Sequence, residues 1–158
     1  MMSPWLADAA ATDALGAAMA RTRPVAAVVY LLGDLGAGKS TLARALLRAL
    51  GVSGAIRSPT YTLVERYPLA GGGEAWHLDL YRIAGAGELE FLGLDADDVV
   101  LWLVEWPEHG GGALPPADLV VALGVEGEGR RARISAGSAT GRAWLAAMSA
   151  TPGFPADS

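Results

Sequence analysis

The chain has 158 residues, 52% hydrophobic and 18% charged, proportions that suit one compact domain with a real core and leave no room for two ordinary ones. Its net charge of −5 argues against a surface that grips nucleic acid through its own phosphate contacts, because that affinity needs clustered Lys and Arg; any RNA is then expected to be held by a partner. Cysteine is absent, which excludes disulfides, thiolate metal sites and thiol nucleophiles.

In chain order, Ala9 to Met19 is alanine-rich with Leu15 and Met19 four residues apart, predicting a short amphipathic helix that ends before Pro24. Val25 to Leu32 (VAAVVYLL) is a continuous apolar run bounded by Pro24 and Gly33, the pattern of a central strand covered on both faces. Ser40 to Leu50 reads as a helix with Leu42, Leu46, Leu47 and Leu50 on one side and Gly51 as its stop. Strands are predicted at YTLVERY (61–67), at AWHLDLY (75–81) after a Gly71–Gly73 turn, and at DVVLWLVEW (98–106). ADLVVALGV and RRARISA flank a Gly-Glu-Gly turn as a hairpin, and GRAWLAAM closes the fold as a helix. The expected architecture is a single α/β domain over residues 1–150, three-layered in the manner of P-loop NTPases around a mixed sheet, with residues 151–158 as a flexible tail. No apolar run is long enough to span a bilayer, and the N-terminus lacks a basic region followed by an apolar core, so neither anchor nor signal peptide is expected and the cytoplasm is the expected location.

Eleven of the twelve strongly basic residues are arginine; the one lysine, Lys39, lies in GDLGAGKS. That stretch satisfies G-x-x-x-x-G-K-[ST] with Gly33, Gly38, Lys39 and Ser40, between a predicted buried strand and a helix start. Glycines let several backbone N–H groups turn towards one anion, and the helix N-terminus adds partial positive charge there. Lys39 would then reach the β- and γ-phosphates of a nucleotide as a mobile point charge, which the rigid fork of arginine does not imitate, and the Ser40 hydroxyl would take a place on Mg²⁺.

A nucleotide site also needs acids. Glu105 ends an apolar strand, where an α/β sheet presents residues to a ligand, and is either a metal-side carboxylate or a strand-end acid that meets solvent. Asp79 shares a strand face with His77 and Tyr81 by two-residue alternation; it is a second candidate acid or a structural partner of Arg82. In SPTYTL (58–63), Thr60 either senses the γ-phosphate and orients water, as switch loops do, or belongs to a turn stiffened by Pro59. His77 and His109 do not have metal-ligand spacing. The five tryptophans read as core or interface, and RRAR (130–133) as a solvated strand face with a weak phosphate-facing role open to Arg131 or Arg133.

Taken together, GDLGAGKST, SPTYTLVERY, HLDLYRI, ELEFLGL and LVEWPE occur in the order and spacing of the TsaE family of bacterial P-loop ATPases, which the chain resembles from Gly33 to Glu108, with ATDALG and RRARIS fitting more loosely. The resemblance implies an ATPase that assists TsaD and TsaB proteins in forming N6-threonylcarbamoyladenosine at position 37 of tRNAs reading codons that begin with A. It implies phosphate contacts by Gly36, Ala37, Gly38, Lys39 and Ser40, Mg²⁺ on Ser40 and Glu105, a catalytic or switch role for Asp79, and Trp106 beside the nucleotide; Gly33 and Thr41, at the two ends of the loop, complete the expected nucleotide contacts, and Thr60 stands as the second catalytic candidate on the reading of its own segment. It also sets Asp8 to Thr12 in the place of the segment that closes over adenine. Ser40 departs from the family's usual threonine, but both supply a hydroxyl. A GTPase would need a guanine-reading Asn-Lys-x-Asp element, and the chain has neither asparagine nor a second lysine. A small-molecule P-loop kinase is the alternative, although no arginine-rich lid segment is evident; a pure binding module differs from the ATPase only in turnover.

Overall fold

The computed structural model describes residues 1–57, 59, 62–83, 87 and 97–154. The bounded elements among them are β1 (Trp5–Leu6), α1 (Ala9–Thr22), β2 (Ala27–Leu32), α2 (Lys39–Ala49), β3 (Val64–Pro68), β4 (Glu74–Asp79), β5 (Val99–Glu105), two single-turn 3-10 helices (Pro107–His109 and Gly111–Ala113), β6 (Leu119–Glu126), β7 (Gly129–Ala136) and α3 (Ala139–Ser149). They form one mixed sheet in the order β1-β7-β6-β2-β5-β4-β3. β4, β5, β2 and β6 run parallel to one another, and the outer pairs β3–β4, β6–β7 and β1–β7 are antiparallel.

Period-two alternation divides the apolar strands between two cores. Val29, Leu31, Leu101, Leu103, Val121 and Ile134 meet Leu15 and Met19 of α1, Leu42, Leu46 and Leu47 of α2, and Trp144 and Met148 of α3. The intervening residues face the other way: Trp76, Leu78, Trp102 and Val104 pack with Leu80, Ile83 and Leu114 from connecting segments, and Val28 and Tyr30 are half-buried against them. The expected coverage of β2 on both faces is therefore found, with helices on one side and, among the described residues, connecting segments on the other. Each leucine fully buried in this way contributes about 1.5–3 kcal/mol.

Local chemistry sets the ends of these elements. Asp8 caps α1 by accepting the Ala11 N–H at 2.9 Å, and Ser138 caps α3 by accepting the Gly141 N–H at 3.0 Å. β2 begins at Ala27, two residues later than its apolar run, and Val25 is exposed. β3 begins only at Val64 because Leu63 has φ 69°, a left-handed conformation that cannot extend a strand. β1 escaped sequence reading altogether; two residues carry no periodicity, and their strand character comes from pairing with Arg130 and Arg131 of β7. Ser58, Thr60, Tyr61, the ELEFLGL stretch and residues 155–158 lie outside the described residues. Phe154, in the segment expected to be a tail, packs partly buried against the helix-side core. No helix among the described residues is long and apolar enough to cross a membrane.

Candidate functional site

The parallel strands β2, β4 and β5 end together, with Leu31 opposite Glu105 and Glu105 opposite Asp79. β2 has β5 on one side and β6 on the other, so the loop after it emerges where the strand order reverses, the place where open α/β sheets bind ligands. Gly33, Gly36 and Gly38 in that loop have φ of 143°, 81° and 106°. At Gly33 even a Cβ would lie 2.4 Å from the Leu123 carbonyl oxygen, so the loop hugs β6. Gly38 is the N-cap of α2 and gives it no side-chain cap. The first-turn N–H groups of α2, which have no intrahelical acceptor, are thus left to a ligand.

Lys39 is buried and folded back on its own loop: its ammonium donates to the carbonyls of Gly33 and, at 3.0 Å, Asp34. It also sits 4.6 Å from the centroid of the Trp106 ring, a cation–π contact. Trp106 follows β5 in a left-handed conformation (φ 56°), and its ring lies 5.0 Å from that of Tyr81 and 5.7 Å from that of His109. Behind the loop, the Ser40 hydroxyl donates to Glu105 Oε2 at 2.8 Å, and His77 Nε2 lies 2.5 Å from the same oxygen. Glu105 is 3% exposed and His77 fully buried. Asp79 is half-buried and accepts the Tyr81 N–H at 3.1 Å.

A cavity of about 390 Å³ joins these groups, lined by Gly36, Gly38, Lys39, Ser40, Thr41, Asp79, Tyr81, Arg82, Glu105 and Trp106 among others. A second, of about 200 Å³, lies on the other side of Gly38 and Thr41, between Asp8 and Thr12, Ala37, Leu123, and Glu128 to Arg130. Arg130 reaches the loop itself, donating to the Gly36 carbonyl at 3.3 Å. Arg131, one of the two arginines considered for a phosphate, instead pairs with Glu126 at 2.8 Å and donates to the Ser3 carbonyl; Arg133 is exposed.

Gly36, Gly38, Lys39, Ser40, Thr41, Asp79 and Glu105 therefore line one cavity, Ala37 lines the smaller one, Gly33 lines neither and is held against β6 at the start of the loop, and Thr60 lies outside the described residues. Sequence reading missed His77 as the partner of Glu105. Two-residue alternation puts His77 on the face of Asp79, but its pairing with Glu105 follows from the β4–β5 register. Arg130 was also missed. No group of three or more His, Cys, Asp or Glu is placed to hold a metal among the described residues. The hydroxyl and carboxylate at Ser40 and Glu105 are hard oxygen donors, and a pair of them suits a cation that takes its remaining ligands from phosphates and water.

The family model described as "Threonylcarbamoyl adenosine biosynthesis protein TsaE" matches residues 6–133. The tRNA threonylcarbamoyladenosine biosynthesis protein TsaE of Haemophilus influenzae is 44% identical over 128 residues, covering 78% of this chain and 79% of that protein. Its counterpart in Synechocystis is 41% identical over 114 residues, covering 68% and 71%. The crystal structure of Bacillus subtilis YdiB superposes with a TM-score of 0.76 at 23% identity, covering 94% of this chain and 93% of that one, and so shares the fold.

Proposed function

The chain belongs to the TsaE family, and from that premise we propose that it serves threonylcarbamoyladenosine biosynthesis in tRNA as a Mg²⁺-dependent ATPase. Its reaction supports the modification of adenosine 37 in tRNAs reading codons that begin with A, in concert with TsaD and TsaB proteins in the cytoplasm. The observation that carries the ATPase reading is the Ser40–Glu105 hydrogen bond of 2.8 Å set beside an uncapped helix N-terminus.

In this reading the free N–H groups of the loop and of the first turn of α2 bind phosphate oxygens, and Lys39 exchanges the Gly33 and Asp34 carbonyls for the outer phosphates. Carbonyl oxygens and an indole face are weaker partners than a phosphate dianion, so the exchange favours the bound state. Ser40 and Glu105 would hold Mg²⁺, which when bound neutralises charge on the phosphate oxygens. Asp79, at the neighbouring strand end and facing the same cavity, orients the attacking water, a role shared with Thr60. The smaller cavity beside Thr12 and Leu123 takes the nucleoside end. With a net charge of −5 and Arg130 and Arg131 already engaged, tRNA is met through the partner proteins and not by this chain alone.

Calorimetric titration with ATP and Mg²⁺ tests the site. Lys39→Ala removes charge-assisted bonds to phosphate and is expected to weaken ATP binding about 10- to 100-fold while leaving the thermal transition within a few degrees of wild type. Unchanged affinity would refute the nucleotide reading. Reconstitution of the tRNA modification with and without this chain tests the pathway assignment separately.

A further inference from the structure

One buried group has no place in the chemistry above. His77 is fully buried on β4, on the sheet face that looks towards α2, in a strand whose other buried residues are Ala75, Trp76 and Leu78. An apolar side chain would satisfy that position without leaving a polar atom stranded, yet the Nδ1 of His77 is buried with no hydrogen-bond partner among the described residues. A buried polar atom left unpaired is costly, so the ring must be kept for its other nitrogen. That nitrogen, Nε2, lies 2.5 Å from Glu105 Oε2. A carboxylate oxygen accepts, so the Nε2 N–H donates.

We propose that His77 is a positioning residue that fixes the Glu105 carboxylate for the metal. The proposal rests on the nucleotide reading of the site. His77 stands opposite Leu103 in the β4–β5 register, and Glu105 is two residues further along the same face, so the contact runs diagonally between two adjacent strands. The other partner of Oε2, Ser40 at 2.8 Å, belongs to the first turn of α2, next to the glycine loop. His77 instead ties Glu105 to the packed sheet, independently of that loop. A site whose supporting shell is carried on packed strands holds its geometry better than one held by a loop alone.

The test compares His77→Leu, which fills the space without a donor, with His77→Gln, whose amide N–H can replace Nε2. ATP affinity is measured by calorimetry in EDTA and across a Mg²⁺ series. In EDTA the leucine variant is expected to match wild type within about twofold, while the Mg²⁺ needed for half-maximal tightening rises about tenfold, the lower end of what loss of a ligand's supporting partner costs. The glutamine variant should recover most of that loss. Against a Glu105→Gln background His77→Leu should add nothing further, because the carboxylate it would orient is gone. An unchanged Mg²⁺ requirement in the leucine variant overturns the proposal, as does equal weakening with and without Mg²⁺ or a glutamine variant as poor as leucine. If the leucine variant does not fold, ring ¹⁵N spectra of the wild type decide, since the chain has only two histidines. The Nε2–H of His77 should be protected from exchange and should shift when Mg²⁺ is added to the ATP complex; a resonance indifferent to Mg²⁺ overturns the proposal. A wild type that binds no ATP at any Mg²⁺ concentration refutes instead the nucleotide reading on which it stands.

Discussion

Glu105 and Asp79 occupy matched positions at the ends of adjacent parallel strands, yet their surroundings differ. Glu105 is 3% exposed and receives both Ser40 and His77 on one oxygen; Asp79 is half-buried and tied to the Tyr81 N–H. Glu105→Ala is therefore expected to raise the Mg²⁺ requirement for ATP binding at least about tenfold. It also strands the ring nitrogen of His77, which lowers stability by about 1–3 kcal/mol. Asp79→Ala leaves no buried partner stranded and should lower steady-state phosphate release about 100-fold with little change in ATP affinity. If both substitutions only lower the thermal transition and leave the Mg²⁺ dependence and turnover of the folded fraction intact, both acids are structural. At this scale the sequence made Lys39 legible, because a single lysine among eleven arginines sits inside a recognisable spacing. It did not make His77 legible, because pairing with Glu105 depends on a strand register that no local pattern encodes. The same holds for the resting place of Lys39 over Trp106, which requires the left-handed turn after β5.

Among the elements, α1 and α2 decide where the loop sits. They cross so closely at Gly16 that a Cβ there would lie 2.7 Å from Ala45 Cβ and 2.8 Å from the Leu46 nitrogen. Gly16→Val must push α2 away, an overpacking that costs about 1–3 kcal/mol and lowers Tm by about 2–4 °C per kcal/mol in a domain of this size. Because α2 carries Lys39 and Ser40 in its first turn, ATP affinity should fall with it. Gly124→Ala, where the added Cβ meets nothing within 4 Å, is the control that should leave both unchanged. Thermal unfolding and calorimetry on the two variants check this, and equal behaviour would show that the crossing tolerates the branched side chain. The elements legible in the sequence were those whose signal is local: the apolar run of β2, the leucine stripe of α2, and the Gly-Glu-Gly turn between β6 and β7. β1 was not, since its strand character is made by a contact far apart in the chain. Leu63 shifted the start of β3 for a similar reason: its φ of 69° is imposed by context and is not a preference of leucine.

At the scale of the whole molecule, the described residues furnish a glycine loop at a helix N-terminus, a lysine, a hydroxyl–carboxylate pair and one further acid, the groups that the proposed nucleotide binding calls for. Rapid hydrolysis asks for more, because positioning of the attacking water is most of phosphoryl-transfer catalysis. A water-orienting glutamine of the Ras type is impossible here, since the chain contains none. Asp79 is the group left to do this among the described residues, and it is already bonded to the Tyr81 backbone. The isolated chain is accordingly expected to release phosphate slowly, on the order of 10⁻² s⁻¹ or below, and TsaD and TsaB proteins to raise that rate at least about tenfold by completing the site. Linkage then requires that if the partners favour the ATP-bound form, ATP strengthens their association by the same factor, whereas ADP does so less. Two measurements stand together: phosphate release as partner concentration rises, and partner affinity with ATP against ADP. If the isolated chain already turns over rapidly and neither nucleotide alters partner binding, the partner-completed account fails. The phosphate nest would then serve a small-molecule kinase, for which candidate acceptors can be screened by their stimulation of ADP formation.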